Sequence, residues 1–318
     1  MIWLWAGFIG LIMMLLAFDL GIFHRKAHVI GIKEALFWTT FWILLSLLFN
    51  GLIYFIYEHH WFDVGLLGIH ETDGREAALK FFTGYILEKS LSLDNIFVIA
   101  MIFSYFGIPP EYQHRVLFWG ILGAIILRAL MIFIGVTLIE NFDWMIYIFG
   151  LFLIVSAVKI LISKDEMIRP EHNWLIRFAR KVFPVSAELH GDKFFISLNG
   201  RFAVTPLLLV LIVVESSDVL FAVDSIPAIF AVTTDPFIVF SSNIFAILGL
   251  RALYFALAAV IAEFRYLKVS LVYILIYVGL KMILSHYYTI STLVSLAIII
   301  IIILAGILAS LYVKGTEP

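Results

Sequence analysis

Three carboxylates interrupt an apolar stretch that runs from about residue 206 to residue 232. They are Glu215, Asp218 and Asp224, in the sequence E-S-S-D-V-L-F-A-V-D-S-I-P. Moving an ionised carboxylate into the hydrocarbon layer of a bilayer costs about 2.5 kcal/mol or more, even on the lenient insertion scale. A membrane segment that keeps such groups needs a compensating cation, a basic side chain or a proton. This stretch is therefore the first candidate for a functional site.

A second acidic motif lies earlier in the chain, in the sequence E-K-S-L-S-L-D-N. From the two motifs we select side chains that carry carboxylate, amide or hydroxyl oxygens. Such oxygens suit hard divalent cations such as Mn²⁺, Mg²⁺ and Ca²⁺. The sequence has no cysteine and neither motif contains histidine, so zinc and copper fit this donor set less well. We predict a metal site with oxygen ligands from Glu88, Asp94, Asn95, Glu215, Asp218, Asp224 and Ser225.

Basic side chains within the apolar segments offer another way to compensate these acids. We expect Lys89, Arg128 and Arg251 to form structural ion pairs with them. Ion pairing of the whole acidic cluster would reduce the cost of burial without a bound ion, and it is the alternative to a metal site. Against it, the acids stand beside Asn and Ser, which a plain salt bridge does not need. Asp19, at the end of the first apolar segment, is a candidate gate, interfacial residue or ion ligand.

The composition is typical of an integral membrane protein. Hydrophobic residues make up 63% and charged residues 14% of the 318 residues, whereas soluble domains carry about 25% charged residues. A net charge of −2 without any basic run gives no indication of nucleic-acid binding. The first 23 residues lack a basic start and a small-residue cleavage site, so we interpret them as a retained helix rather than a signal peptide.

The length of the apolar segments predicts the fold class. About 20 apolar residues in a helix span the hydrocarbon layer, and a helix pairs all its backbone polar groups internally. We therefore predict an all-α membrane bundle of nine transmembrane helices. In chain order the predicted segments are 2–22, 35–57, 79–106, 115–139, 144–163, 205–230, 237–261, 268–286 and 290–313.

Short sequence matches indicate an internal repeat. S-L-D-x-x-F around Asp94 matches S-S-D-x-x-F around Asp218, L-R-A-L recurs at Arg128 and Arg251, and K-I-L-I-S later matches K-M-I-L-S. Each repeat covers three predicted helices, and the connecting loop 164–204 stays on one side of the membrane. The second repeat is then inverted relative to the first, as in many secondary transporters. The pseudo-two-fold axis would bring the two aspartates together at the midplane.

Loop charges predict the orientation, because Lys and Arg concentrate in loops that all fall on one side. The positive-inside rule then places the N-terminus outside and the C-terminus in the cytoplasm. Within the long loop, residues 173–183 suit an amphipathic helix on the cytoplasmic leaflet or an ordered loop packed on the helix ends. The predicted parts are two N-terminal helices in 1–57, the first repeat in 79–163, the cytoplasmic loop 164–204, the second repeat in 205–286 and a C-terminal helix in 290–313.

Four long stretches carry a resemblance to a known family. They are E-K-S-L-S-L-D-N-I-F-V (88–98), F-W-G-I-L-G-A-I-I-L-R-A (118–129), T-P-L-L-L-V-L-I-V-V-E-S-S-D-V-L-F-A-V-D-S-I-P-A-I-F (205–230) and S-N-I-F-A-I-L-G-L-R-A-L-Y-F (242–255). The chain resembles the TerC family of bacterial integral membrane proteins, and within it the Alx-like branch. The resemblance implies a place in the bacterial cytoplasmic (inner) membrane, in the LysE-type exporter superfamily, with links to manganese export and tellurium resistance. By motif match it also implies functional roles for Glu88, Asp94, Asn95, Glu215, Asp218 and Asp224.

The residues and the resemblance together give two principal hypotheses. The first is an exporter that works by alternating access, with Mn²⁺ as transported substrate rather than tightly bound cofactor, and with Glu88 and Glu215 as further ligands or proton carriers. The second is a membrane scaffold that binds metal and supplies it to partner or secreted proteins. An intramembrane aspartyl protease is disfavoured because the G-x-G-D motif is absent. We expect a non-enzyme whose partners are membrane lipid, a divalent cation and, for the exporter, protons.

Overall fold

The computed structural model describes residues 2–23, 30–63, 72–142, 144–162, 184–186, 188–198, 201–257, 266–288 and 290–314. Ten α-helices lie in these ranges: α1 (Ile2–Phe23), α2 (Ile32–Glu58), α3 (Gly74–Tyr105), α4 (Pro110–Asn141), α5 (Met145–Ile162), α6 (Pro206–Phe230), α7 (Pro236–Leu248), α8 (Leu250–Leu257), α9 (Leu267–Leu284) and α10 (Thr292–Lys314). A 3₁₀ turn (Trp61–Asp63) and two strands, β1 (Phe195–Leu198) and β2 (Arg201–Val204), complete the described elements.

Six of the described helices are long and apolar enough to cross a membrane, namely α1, α2, α4, α5, α6 and α10. The number rises to seven if α7 and α8, which meet at a bend of 41°, form one broken span. The prediction of a multi-pass helical membrane protein is therefore confirmed. The count of nine stays a prediction, because α3 carries charged residues along much of its length and the apolar part of α9 is short.

Local sequence signals explain where several helices begin. Proline occupies the first turn of α4, α6 and α7, where its missing N–H costs nothing. The side chain of Asp73 accepts a hydrogen bond from the backbone of Glu76 and caps α3. Asp235 caps α7 in the same way, through the backbone N–H groups of Phe237 and Ile238.

The helix contacts show an internal symmetry. α3 packs against α6 and α7, α4 packs against α6 and α7, and α5 packs against α9. In the predicted repeats α3 corresponds to α6, α4 to the bent pair α7–α8, and α5 to α9. When each helix is exchanged with its counterpart, the α3–α7 contact becomes the α6–α4 contact, and the α3–α6 and α5–α9 contacts are unchanged. This is the pattern that a two-fold axis relating the predicted repeats would produce. The direction of each repeat relative to the membrane stays a prediction.

The α5–α9 contact is close because two glycines meet there. A Cβ atom added at Gly150 would lie 2.9 Å from the carbonyl oxygen of Gly279, and one added at Gly279 would lie 2.7 Å from the carbonyl oxygen of Gly150. Real Cβ atoms essentially never approach so closely. Small residues let membrane helices pack backbone to backbone, so this pair fixes the crossing of the third helices of the two repeats.

The connection between α5 and α6 contains a β-hairpin that sequence analysis did not predict. β1 and β2 pair antiparallel, with Phe195 opposite Val204 and Leu198 opposite Arg201. The described residues therefore include a short element of sheet between two helices of membrane-spanning length. The amphipathic helix predicted for 173–183 lies outside the described residues.

Candidate cation site

The buried guanidinium of Arg128 on α4 gathers polar groups from three other helices. Its exposed fraction is 1%. Nη1 forms an ion pair with Oε1 of Glu88 on α3. Nη1 also donates to Oγ of Ser225 on α6 at 3.1 Å and to Oδ1 of Asn243 on α7 at 3.2 Å. Nη2 lies 3.5 Å from Oδ1 of Asp218 on α6, so one arginine joins four helices.

Glu88 is fully buried, and both of its carboxylate oxygens are occupied. Oε1 pairs with Arg128 and accepts from Oγ of Ser92 at 3.3 Å. Oε2 accepts from Nδ2 of Asn243 at 3.1 Å. A carboxylate satisfied in this way acts as a structural counter-ion, and a metal would have to displace these contacts to bind it.

Asp218 faces a small cavity between α3, α4, α6 and α8. Its buried Oδ2 has no hydrogen-bond partner among the described residues. The cavity has a volume of about 20 Å³; Asn95, Ser217 and Arg251 also line it, and most of its surface is apolar. A space of this size holds about one water-sized group. Because a buried carboxylate oxygen without a partner is costly, the surroundings of Asp218 are the candidate cation site.

Glu215 lies one turn before Asp218 on the same face of α6. Its Oε2 is also buried and without a hydrogen-bond partner in the described part of the chain. The carboxylate rests on the backbone of α4 at Gly123, where a Cβ atom would overlap it. The missing side chain at position 123 therefore makes room for the second acid.

We expect Gly123→Ala to displace the carboxylate of Glu215, the far end of a flexible side chain, and so to lose most of the gain of about 1 kcal/mol that alanine brings over glycine inside a helix. Gly120→Ala is the matched control, because a Cβ atom there would lie 3.4 Å from Cγ1 of Val214, near ordinary contact distance. Thermal unfolding in detergent compares the two variants. Equal melting temperatures would show that Glu215 does not depend on Gly123.

The structure does not bring all the predicted ligands together. Asp224 lies against α5, where its Oδ1 accepts from Oγ of Ser156 at 2.7 Å. Ser225 accepts from Arg128, and the side chain of Asp94 lies outside the described residues. No group of three His, Asp or Glu side chains placed to hold a metal occurs among the residues that the structure describes. Asp218, Glu215 and Asn95 remain as the predicted ligands nearest the cavity.

The basic residues predicted for ion pairs differ in their partners. Nη2 of Arg251 on α8 lies 2.5 Å from Oδ1 of Asp19 on α1, and both side chains are buried. Lys89 donates instead to the main-chain oxygen of Ala246 at 3.1 Å, because its side chain leaves α3 toward α7. In the described contacts, Arg128 and Arg251 therefore form ion pairs with acids, whereas Lys89 bonds to a main-chain carbonyl.

Sequence analysis missed Asn243, although it bridges Arg128 and Glu88 and is fully buried. The sequence feature that could have indicated Asn243 is a polar amide inside the predicted membrane segment, in S-S-N-I-F-A-I-L. Ser156 and Ser217 were missed as well. Each is a small polar residue in an apolar segment; Ser156 is distinguished by its bond to Asp224 on another helix, and Ser217 by its place at the cavity.

Comparison with known proteins agrees with this architecture. The family described as "Integral membrane protein TerC family" matches residues 73–317. The "Uncharacterized membrane protein STKORF319" of Myxococcus xanthus is 50% identical over 315 residues, which cover 99% of this chain and 94% of that protein. The "Putative membrane-bound redox modulator Alx" of Escherichia coli (strain K12) is 47% identical over 301 residues, which cover 93% of this chain and 90% of that protein. No solved structure matches the chain. The chain thus belongs to the TerC family of integral membrane proteins, with Alx proteins among its relatives.

Proposed function

We propose that this protein exports a divalent cation, with Mn²⁺ as substrate, across the bacterial cytoplasmic membrane. The observation that carries the proposal is Asp218, whose buried Oδ2 has no partner among the described residues and which lines a cavity large enough for about one water-sized group. Asn95 and Ser217 also line this cavity, and the Ser217 hydroxyl donates to the main-chain oxygen of Val213. Carboxylate, amide and hydroxyl oxygens are the ligands of hard divalent ions.

The local charge supports a cationic substrate. Glu88, Asp218 and Glu215 stand against the guanidinium of Arg128, which pairs with the first two of these acids, and against the ammonium of Lys89 beside Glu88. Three ionised acids outnumber these two basic groups, and a bound cation would offset the difference. The neighbouring Asp19–Arg251 pair adds no net charge.

The helix arrangement supports alternating access. The contacts are unchanged in pattern when the two three-helix segments are exchanged, and in many transporters such repeats are inverted and rock against each other around a central site. The break between α7 and α8 lies beside the cavity, which Leu250 and Arg251 line. We place nine helices in the membrane, with the N-terminus outside and the C-terminus in the cytoplasm, and we include the chain in the LysE-type superfamily.

The same acids also support proton coupling of the proposed transport. A carboxylate that must release a metal can do so by taking a proton, and Glu215, whose Oε2 has no described partner, is placed to carry it. The relatives' name refers to redox modulation. Thiol–disulfide exchange requires cysteine, and this sequence has none, so we favour ion transport over thiol redox chemistry.

Mn²⁺ flux into proteoliposomes that contain only this protein tests the proposal. We expect flux above that of protein-free liposomes, stimulated by an imposed pH gradient and reduced by competing Mn²⁺-like hard cations. Flux without gradient dependence would retain the exporter and remove proton coupling. Tight Mn²⁺ binding without any flux would instead favour the second candidate, a membrane scaffold that supplies metal to other proteins.

A further inference from the structure

Lys89 on α3 is a basic residue for which the proposed cation site has no use. Nζ of Lys89 donates to the main-chain oxygen of Ala246 at 3.1 Å and lies 6.0 Å from the ring centroid of Tyr85. Neither of these partners in the described contacts is an acid. A basic side chain inside a membrane bundle is costly and usually marks a functional position, so this lysine needs an explanation of its own.

The carbonyl that Lys89 contacts lies where a membrane helix breaks. Ala246 is the third residue from the end of α7, and the last carbonyls of a helix lack partners within it and carry the negative end of its dipole. The N–H of Gly249 bonds to the carbonyl of Ile247, which interrupts the regular i→i−4 pattern, and α8 continues at 41°. An ammonium group placed here satisfies a carbonyl and offsets the partial negative charge of the helix end.

The surroundings of Gly249 provide a second, independent observation. A Cβ atom at this position would lie 3.1 Å from Nζ of Lys89 and 3.0 Å from Cβ of Trp42 on α2, closer than nine in ten real Cβ contacts. The ammonium therefore reaches the break itself, and the buried Trp42 packs against the same glycine. Side chains from two other helices thus confine the bend.

The neighbouring residue of α3 holds the same helix a second time. Oε2 of Glu88 accepts from Nδ2 of Asn243, three residues before Ala246 on α7. Consecutive residues of α3 therefore fix the end of α7, one through a side chain and the other through the main chain. Beyond the break, Leu250 and Arg251 line the cavity, so the position of this wall depends on where and how α7 ends.

We propose that Lys89 is a positioning residue, whose ammonium caps the broken end of α7 and fixes the bend that brings α8 to the cavity. A straight helix would bond the carbonyl of Ala246 to the N–H of Leu250. The lysine and a continuous helix therefore compete for one acceptor. The effect on the bend is independent of transport, whereas the consequence for Mn²⁺ rests on the proposed function.

α8 is also held by contacts of its own. Arg251 pairs with Asp19, and the hydroxyl of Tyr254 donates to Oε1 of Gln113 at 3.0 Å. These contacts attach α8 to α1 and α4, while Lys89 acts on the end of α7. Loss of the lysine is therefore expected to relax the bend without detaching α8 from the bundle.

Distances between two spin labels test the bend directly. The chain has no cysteine, so Ile162→Cys at the end of α5 and Leu257→Cys at the end of α8 provide the labelled positions. α8 is about 12 Å long, and complete straightening of the 41° bend would move its far end by about 8 Å. We expect Lys89→Met to shift or broaden the distance distribution within this range.

A conservative variant and a matched control separate this role from general support of the fold. Lys89→Arg keeps a positive hydrogen-bond donor and should retain the distances of the labelled, otherwise unchanged protein. Lys80→Met removes a lysine of the same helix that pairs with the exposed Glu76, and it should leave the distances unchanged. A lysine that supported only the overall fold would lower the melting temperature of Lys89→Met without changing the distances.

Mn²⁺ binding in detergent shows whether the bend serves the site. Because Leu250 and Arg251 line the cavity, Lys89→Met is expected to weaken binding by at least about tenfold, or 1.4 kcal/mol. Lys89→Arg should bind with the affinity of the unchanged protein. Normal affinity in Lys89→Met with altered distances would overturn the link between the bend and the site.

The inference is overturned if the distances in Lys89→Met equal those of the unchanged protein, or if Lys89→Arg or Lys80→Met changes them as much. Failure of the proposed function gives a different result. An unchanged protein that neither binds nor transports Mn²⁺, with a bend that still relaxes in Lys89→Met, would remove the transport proposal and support the role of Lys89 at the break.

Discussion

Replacing Arg128 by Gln is expected to destabilise the folded protein by about 3–5 kcal/mol, the cost of leaving a buried charge without its partner. Glu88 is fully buried and pairs with Arg128. Without the guanidinium, the donors to Glu88 that remain among the described contacts are the hydroxyl of Ser92 and the amide of Asn243. The four helices that meet at Arg128 would also lose their common contact.

Unfolding in detergent, followed by circular dichroism, measures this loss. The double variant Glu88→Gln/Arg128→Gln should recover most of it, because two neutral amides leave no uncompensated charge. Arg115→Gln is the matched control, since its ion pair with Asp192 is partly exposed, and such pairs contribute only about 0–1 kcal/mol. A loss for Arg128→Gln no larger than that of Arg115→Gln would show that the buried pair does not hold the bundle together.

Asp218→Asn is expected to weaken Mn²⁺ binding by at least about 100-fold, or 2.7 kcal/mol, while the protein stays folded. The amide has nearly the size of the carboxylate and can still accept a hydrogen bond from Arg128, 3.5 Å away. What is lost is the negative charge of a residue that lines the cavity. Titration with Mn²⁺ in detergent measures binding, and the melting temperature checks the fold.

Asp224→Asn is the comparison on the same helix. Asp224 bonds to Ser156 on α5 and does not line the cavity, so we expect a much smaller loss of Mn²⁺ affinity than for Asp218→Asn. Equal losses in the two variants would mean that the cation binds elsewhere, or that the two aspartates act on one ion.

Apolar length predicted most of the helices, because the bilayer requires about 20 apolar residues per span. The same signal missed the break at Gly249, since the predominantly apolar run 237–261 continues on both sides of it. The bend is visible only in the structure, as the 41° angle between α7 and α8. The hairpin was missed for a related reason, because strands of four residues are too short for a clear period-2 pattern.

Helical periodicity predicted the part of the site that lies on one element. Glu215 and Asp218 are three residues apart and share a face of α6, as expected. Asp224 follows six residues after Asp218, which turns it by about 240° at 100° per residue. It therefore contacts α5 instead of joining the cavity.

Contacts between helices were beyond the sequence. Nothing in the spacing of Glu88 and Arg128 shows that they pair across α3 and α4, or that Asn243 on α7 bridges them. The same holds for Asp19, whose partner Arg251 is 232 residues away. These pairings decide which acids are held in structural ion pairs and which carboxylate oxygens remain available to bind an ion.

Locating Mn²⁺ by anomalous scattering, in crystals of the protein grown with the ion, tests most directly whether the Asp218 cavity is the cation site. The predicted result is a peak inside the cavity, about 2.0–2.6 Å from a carboxylate oxygen of Asp218, the range of hard divalent cations. Crystals of Asp218→Asn should lack this peak. A strong peak at Asp224 or in the loops, with the cavity empty at saturating Mn²⁺, would contradict the assignment.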